Sequence, residues 1–124
     1  MWTLYDYLDN RGRNIIKDWI QDLEKTERMK LKAKLLTLEK SGPDLSPGLL
    51  AGTKLPHIDK IKVHGSVQPR LLLCRGPIDL HQEFTLLLGV TERDGKLPKN
   101  AEQTAEDHRQ EVLRDPSLRR TIHE

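Results

Sequence analysis

Between Ile58 and Thr91 the chain carries three short, strongly apolar runs threaded with basic side chains, and this stretch constrains the fold most. The first is Ile58-Asp59-Lys60-Ile61-Lys62-Val63-His64, the second Arg70-Leu71-Leu72-Leu73-Cys74-Arg75, the third Glu83-Phe84-Thr85-Leu86-Leu87-Leu88-Gly89-Val90-Thr91. Their length and apolar content, bounded by Gly65-Ser66 and Gly76-Pro77, predict strands. Successive side chains of a strand point to opposite faces. Ile61 and Val63 are therefore expected in a core, with Lys60, Lys62 and His64 together on the other face. A sheet with such a basic face suits a polyanion, and points toward RNA.

The charge distribution agrees. Lys54, Lys60, Lys62, Arg70 and Arg75 stand against a single acid, Asp59, over residues 54–75, a local net of +4 in a chain whose total is +2. Concentrated positive charge is what an anion site needs. The bland alternative is that these side chains only solvate strand edges and keep them from pairing with other chains. With 124 residues, 35% hydrophobic and 32% charged, the composition is that of one small folded domain rather than a disordered chain. No apolar run approaches the roughly 18 residues of a membrane span. The N-terminus lacks the pattern of a signal peptide, so the cytoplasm is the expected compartment. Cys74, the single cysteine, reads as a small core residue.

Around the strands the periodicity is helical. Ile15, Ile16, Trp19, Ile20 and Leu23 recur at spacings of three and four, predicting a helix over 14–23. A second is expected from Thr26 as N-cap to Lys40, with the stripe Leu31, Leu35 and Leu38, stopped at Gly42-Pro43. The pair reads as a helical hairpin. Residues 2–8 suit a short edge strand, and 41–52, rich in Pro and Gly, a loop. Asp94-Gly95 is a turn signal. Asn100 and Gln103 have capping-box spacing before a helix carrying Ala101, Ala105, His108 and Val112, which ends before Pro116. The expectation is one α+β domain over 1–124, with helices on one sheet face and a flexible, frayed tail over about 115–124 that includes Arg119 and Arg120.

Several chemistries find no support. The five His, at 57, 64, 81, 108 and 123, make no His-Glu-x-x-His, and no Cys-x-x-Cys accompanies them, so neither metal nor cofactor is expected. No Gly-rich phosphate loop opens a helix. A Ser/His/Asp triad stays open in principle, but no strand-to-helix elbow carries a Ser. Metal-free RNA cleavage asks for less: a proton removed from the 2′-OH, positive charge at the phosphate, and a proton for the departing 5′-oxygen. Lys60, Lys62, His64 and Arg70, the last expected to be exposed, are the available set.

The segment Leu55-Pro56-His57-Ile58-Asp59-Lys60-Ile61-Lys62-Val63, leading into Pro69-Arg70-Leu71-Leu72-Leu73-Cys74-Arg75-Gly76, resembles the RelE/HigB-like toxins of bacterial toxin–antitoxin pairs, in their phage-derived HigB-like branch. The likeness runs on through Glu83 to Glu92, through Lys96-Leu97-Pro98, and into the helix with Ala101, Ala105 and Arg109. It also takes in Tyr7-Leu8-Asp9-Asn10-Arg11-Gly12 and Trp19. The resemblance implies a RelE-like α+β fold, in which a helical hairpin and a C-terminal helix pack on a small, mainly antiparallel curved sheet. It implies ribosome-dependent cleavage of messenger RNA, with Lys62 and Arg70 in the family's catalytic places; His64 and Lys60, from the clustering on the strand face, complete the expected catalytic set. RNA or ribosome contacts are expected at Lys54, Arg75, His81, Arg93 and Lys96, with Glu92 and Arg93 as the polar pair ending the last strand. The implied partners are the ribosome, messenger RNA and a cognate antitoxin, a small helix-turn-helix protein through which alone operator DNA would be met. An acidic antitoxin segment would neutralise the +4 region.

Two positions differ from the pattern: the first of these strands carries Lys62 where the family has Arg, and the family's C-terminal Tyr has no counterpart after Val90. A point charge thus replaces a bidentate clamp, which leaves His64, then His81, for proton transfer. The alternative from another class is a ParE-like toxin that binds a topoisomerase without cleaving RNA, or an inactive relative that still binds an antitoxin.

Overall fold

The computed structural model describes residues 1–44 and 47–124. Of the loop expected over 41–52, residues 45–46 lie outside the described residues, and its two ends are corrected: Ser41 is helical and Ala51–Gly52 pair as a short strand. The elements follow in the order β1 (Thr3–Tyr7), α1 (Ile15–Asp22), α2 (Lys25–Ser41), β2 (Ala51–Gly52), β3 (Asp59–Lys62), β4 (Pro69–Arg75), β5 (Glu83–Thr91), α3 (Ala101–Arg114), α4 (Pro116–Arg119) and β6 (Arg120–Ile122). The strands form one sheet, ordered β2-β3-β4-β5-β1-β6. Every pairing is antiparallel except that of β1 with β5. The α+β class is as expected from the strand and helix runs, and the sheet is mainly antiparallel, as the resemblance implies.

Residues directly opposite one another on neighbouring strands share a face, so the register sorts the side chains. Lys60↔Leu72, Lys62↔Arg70, Arg70↔Val90, Leu72↔Leu88 and Cys74↔Thr85 lie on one face. Ile61↔Leu71, Leu71↔Gly89, Leu73↔Leu86 and Arg75↔Phe84 lie on the other. Between Leu72 and Leu73 the partner moves from Leu88 to Leu86, so Leu87 is the extra residue of a β-bulge. Leu71, Leu72, Leu73 and Cys74 are all fully buried, which requires a covering layer on each side.

The helices supply both layers, and the expectation that they share one face is corrected. The α1–α2 hairpin lies on the Ile61/Leu71/Phe84 face. Trp19 packs flat against Gly89, where an added Cβ would lie 1.9 Å from its ring, and Trp2 meets Phe84 at 5.0 Å between ring centroids. On the opposite face the His108 ring of α3 reaches the Leu87 carbonyl at 2.8 Å and stacks on Tyr7 at 3.8 Å. Burial, and after it the Glu111 carboxylate, push the Tyr7 phenol up to about 12, so it stays a protonated donor.

Local starts and ends differ in detail from the sequence reading. Helix α2 begins at Lys25 with Glu24 at the cap position, two residues before the expected cap Thr26. Asn100 adopts φ 65° and makes no side-chain cap bond, while Gln103 donates to Asp107 instead. Asn14 does cap α1, accepting from the Lys17 amide at 2.9 Å.

Two larger corrections concern the ends of the described chain. Strand β1 is an interior strand, not an edge, because the 115–124 segment is no frayed tail: Pro116 opens α4, and β6 pairs with β1. The basic residues assigned to solvent are its anchors. Arg119 donates to the Leu8 carbonyl at 3.1 Å and pairs with Glu111. Arg120 pairs with Glu83 at 2.8 Å and lies 3.8 Å over the Tyr5 ring. His123 meets Asp6 at 2.8 Å. Among the described residues no helix is long and apolar enough to cross a membrane.

The Trp19–Gly89 contact is testable. Gly89→Ala should lower stability by about 2 kcal/mol, the scale of overpacking in a close-packed core. Shortening Trp19 to Leu should shrink that cost, a coupling that a double-mutant cycle by urea denaturation would read.

Candidate functional site

The face that carries α3 is only partly covered by it. Toward the open ends of β3 and β4, Lys60, Lys62 and Arg70 extend beyond the helix, and a cleft of about 610 Å³ opens between β2–β3, the turn after β5, and the start of α3. Lys54, Lys60 and Lys96 line it with Glu92 and Glu102. The turn that delivers Lys96 is tight: Arg93 and Lys96 exchange backbone hydrogen bonds of 2.9 Å, with Asp94 at φ 51° and Gly95 at φ 74°. Two successive left-handed residues form the reversal that an Asp-Gly pair favours. Thr53 braces the other wall, donating to the Ile58 carbonyl at 2.8 Å.

Arg70 lies behind Glu92, beneath the cleft wall rather than lining it, and here its expected exposure is corrected: it is only 4% exposed. Its Nε and Nη2 donate to the two Glu92 oxygens at 3.1 and 3.4 Å. Nη1 donates to the carbonyls of Val63 and Pro69 at 3.1 and 2.9 Å, and Nη2 also to Gln68 Oε1 at 3.2 Å. A guanidinium has five N–H donors, and all are engaged. Arg70 therefore joins β3, β4 and the end of β5 and has no donor left for a phosphate.

Glu92 transmits that anchoring outward. The Arg70 guanidinium, and to a lesser degree Lys60 and Lys62, hold its carboxyl below the usual carboxylate range. Lys60 Nζ stands 3.9 Å from Glu92 Oε2, close enough to be oriented by charge and too far for a good hydrogen bond. Lys62, Arg93, Lys96 and Lys54 are exposed. The Arg70–Glu92 pair thus fixes one wall of the cleft, with ammonium groups around it and cations outnumbering Glu92, Asp94 and Glu102.

The structure brings together Lys54, Lys60 and Lys96, and sets Lys62, Arg70 and Arg93 beside them. His64 is exposed just beyond β3; its carbonyl accepts from Lys30 Nζ of α2 at 2.8 Å. Arg75 is not part of the cluster. It lies on the hairpin face, 5.3 Å over the Trp2 ring and 5.8 Å over Phe84. His81 sits in the β4–β5 connection, at the opposite end of β4 from Arg70. Cys74 is buried, and burial pushes its thiol up to about 12, consistent with a packing role.

Sequence reading missed Gln68, Thr53 and Glu102, which have no pattern of their own. Glu92 was visible only as a polar strand end, and nothing local marks it as the partner of Arg70. Neither a scan against protein-family models nor a search of curated proteins finds a match to this chain.

Removing this guanidinium should cost stability. Arg70→Ala leaves the Glu92 carboxylate and two carbonyls without their donor, and is expected to destabilise by about 3 kcal/mol. The ion pair also has a pH signature. Because the folded-state pKa of Glu92 is depressed, its contribution is full above the unfolded carboxylate value, about 4.3. It is lost as pH falls through the lowered folded value. Stability measured by urea denaturation between pH 6 and pH 3 should therefore fall less steeply for Arg70→Ala than for the parent protein.

Proposed function

We propose that this chain is the toxin of a toxin–antitoxin pair, a metal-independent endoribonuclease that cuts messenger RNA on the ribosome, built on a RelE-like fold. One observation carries the reading: a lysine-lined cleft on a rigid sheet floor, in an α+β frame whose hairpin and α3 enclose the strands that resemble the RelE/HigB-like toxins. In the reaction the 2′-oxygen attacks the adjacent phosphorus, the bond to the 5′-oxygen breaks, and a 2′,3′-cyclic phosphate remains. Lys60 and Lys62 neutralise the charge that grows on the phosphate oxygens. Lys54, Arg93 and Lys96 hold the flanking backbone, and His64, exposed just beyond β3, serves proton transfer. Arg70 acts through Glu92 by fixing where Lys60 stands, as a positioning residue. The protein works in the cytoplasm, and its antitoxin covers the cleft with an acidic segment.

A second reading is favoured by one feature. With the Arg70 guanidinium fully engaged inside the protein, a ParE-like toxin that binds a topoisomerase without cleaving RNA would need just the lysine surface.

Incubating the purified protein with translating ribosomes distinguishes the two. Cleavage of message inside the codon being read is expected, and Lys60→Ala combined with Lys96→Ala should slow it by roughly 100-fold or more, the scale of lost electrostatic stabilisation. Intact message from folded protein would overturn the nuclease reading. DNA damage with translation unaffected would favour the binder.

A further inference from the structure

Glu27 is a largely buried carboxyl side chain with no partner among the described residues. It lies in the first turn of α2 and is 4% exposed. Its carboxylate forms neither a hydrogen bond nor an ion pair among the described residues. Burial of a lone carboxylate is costly unless an opposite charge or a donor reaches it. The nearby cations are engaged elsewhere: Arg28 donates to the carbonyls of Gln21 and Leu23, each at 3.2 Å, and Lys30 to the His64 carbonyl at 2.8 Å. The start of α2 is electrostatically favourable for an anion, but no side chain caps it.

The space around Glu27 shows what is missing. Its carboxyl rests against Gly65, where an added Cβ would lie 2.1 Å from Oε1, so a side chain there would have to push the Glu27 carboxyl aside. No fully enclosed side-chain oxygen or nitrogen lacks a partner among the described residues. The Glu27 oxygens therefore keep an opening, and that opening is a groove of about 290 Å³. Asp22, Glu24 and Glu27 line it together with Trp19, Leu23, Val67, Pro69 and Thr91, and no basic residue does. In a chain of net charge +2, this groove is wholly acidic on its charged side and apolar on the other.

We propose that this groove is a docking site for an arginine-bearing, otherwise apolar segment of a partner protein, whose guanidinium pairs with Glu27. Arginine fits better than lysine. Its planar donors match a carboxylate, it is more weakly hydrated than an ammonium, and it stacks on an aromatic face such as Trp19. Leu23, Val67 and Pro69 would take the apolar neighbours, while Asp22 and Glu24 at the rim steer the segment in. The groove lies on the hairpin side of the sheet end and the lysine cleft on the other side, so the site stands whether or not the cleft cleaves RNA.

The test uses the full chain, isotopically labelled, titrated with a capped Leu-Arg-Leu peptide. Chemical-shift changes are expected at the Trp19 indole, Gly65 and Val67, weakening as salt is raised. A capped Leu-citrulline-Leu peptide, which keeps the shape and loses the charge, should bind about tenfold more weakly or worse, as expected for loss of a charge-assisted pair. Glu27→Gln should lose the same factor for the arginine peptide while melting no lower than the parent, and Glu24→Gln should lose less. Equal binding of the citrulline peptide, or unchanged affinity in Glu27→Gln, would overturn the proposal. So would argininamide binding as tightly as the peptide, which would leave no role for the apolar wall, or shifts confined to the lysine cleft.

Discussion

Burial of β4 and β5 on both faces is the constraint on which the rest depends. Leu71, Leu72, Leu73 and Cys74 follow one another without exposure, and alternate side chains of a strand cannot share a layer. One face is closed by the hairpin and the other by α3, each with an aromatic lid: Trp19 against Gly89 and Tyr7 stacked on His108. The bulge at Leu87 lets both leucine sets of β5 meet both layers despite the change of register. Because α3 covers only part of its face, the outer ends of β3 and β4 stay open, and the cleft is what remains.

That open end is where alternation becomes electrostatics. Pro69 and Thr91 pair with one another, and so do Arg70 and Val90 on the next rung. Stepping one residue along the strand crosses the sheet. On the hairpin side Pro69 and Thr91 border a groove with three carboxylates. On the other side Glu92, held from beneath by Arg70, lines a cleft with three lysines. A sheet about one side chain thick thus separates depressions of opposite sign, and its backbone keeps them from neutralising each other. Arg70 can be tolerated there because its donors are all satisfied, which offsets much of the cost of removing a guanidinium from water.

The strand runs, the hairpin stripe and α3 were legible because each follows from periodicity within a few turns of chain. Lys60 and Lys62 were placed on the correct face by alternation alone. The misplacements share a cause: they turn on partners distant in sequence. Arg119 and Arg120 look like tail residues until Tyr7, Leu8 and Glu83 are beside them, and the Arg119–Tyr7 bond spans a sequence separation of 112 residues. Arg70 reads as an exposed cation because Glu92 and Gln68 reach it only after β4 and β5 have paired. Arg75 has the same composition cue as Lys60, but the parity of its strand position sends it to the hairpin face. Glu27 stands four residues before Leu31, in line with the buried stripe of α2, and Gly65, brought over it by the β3–β4 connection, closes on its carboxyl.

The parallel pairing of β1 with β5 has a consequence for synthesis. Leu4 finds its neighbour Phe84 only once a long intervening stretch of chain has left the ribosome, at roughly 5–20 residues per second. During those seconds β1, a strand of mixed aromatic and polar residues, has neither side paired, and the leucines of β4 lack one of their two layers. Contacts this distant along the chain slow folding and leave strand edges open to other chains. The nascent polypeptide is therefore most vulnerable to aggregation before β5 emerges, and a holdase that grips its first strand would act in that interval.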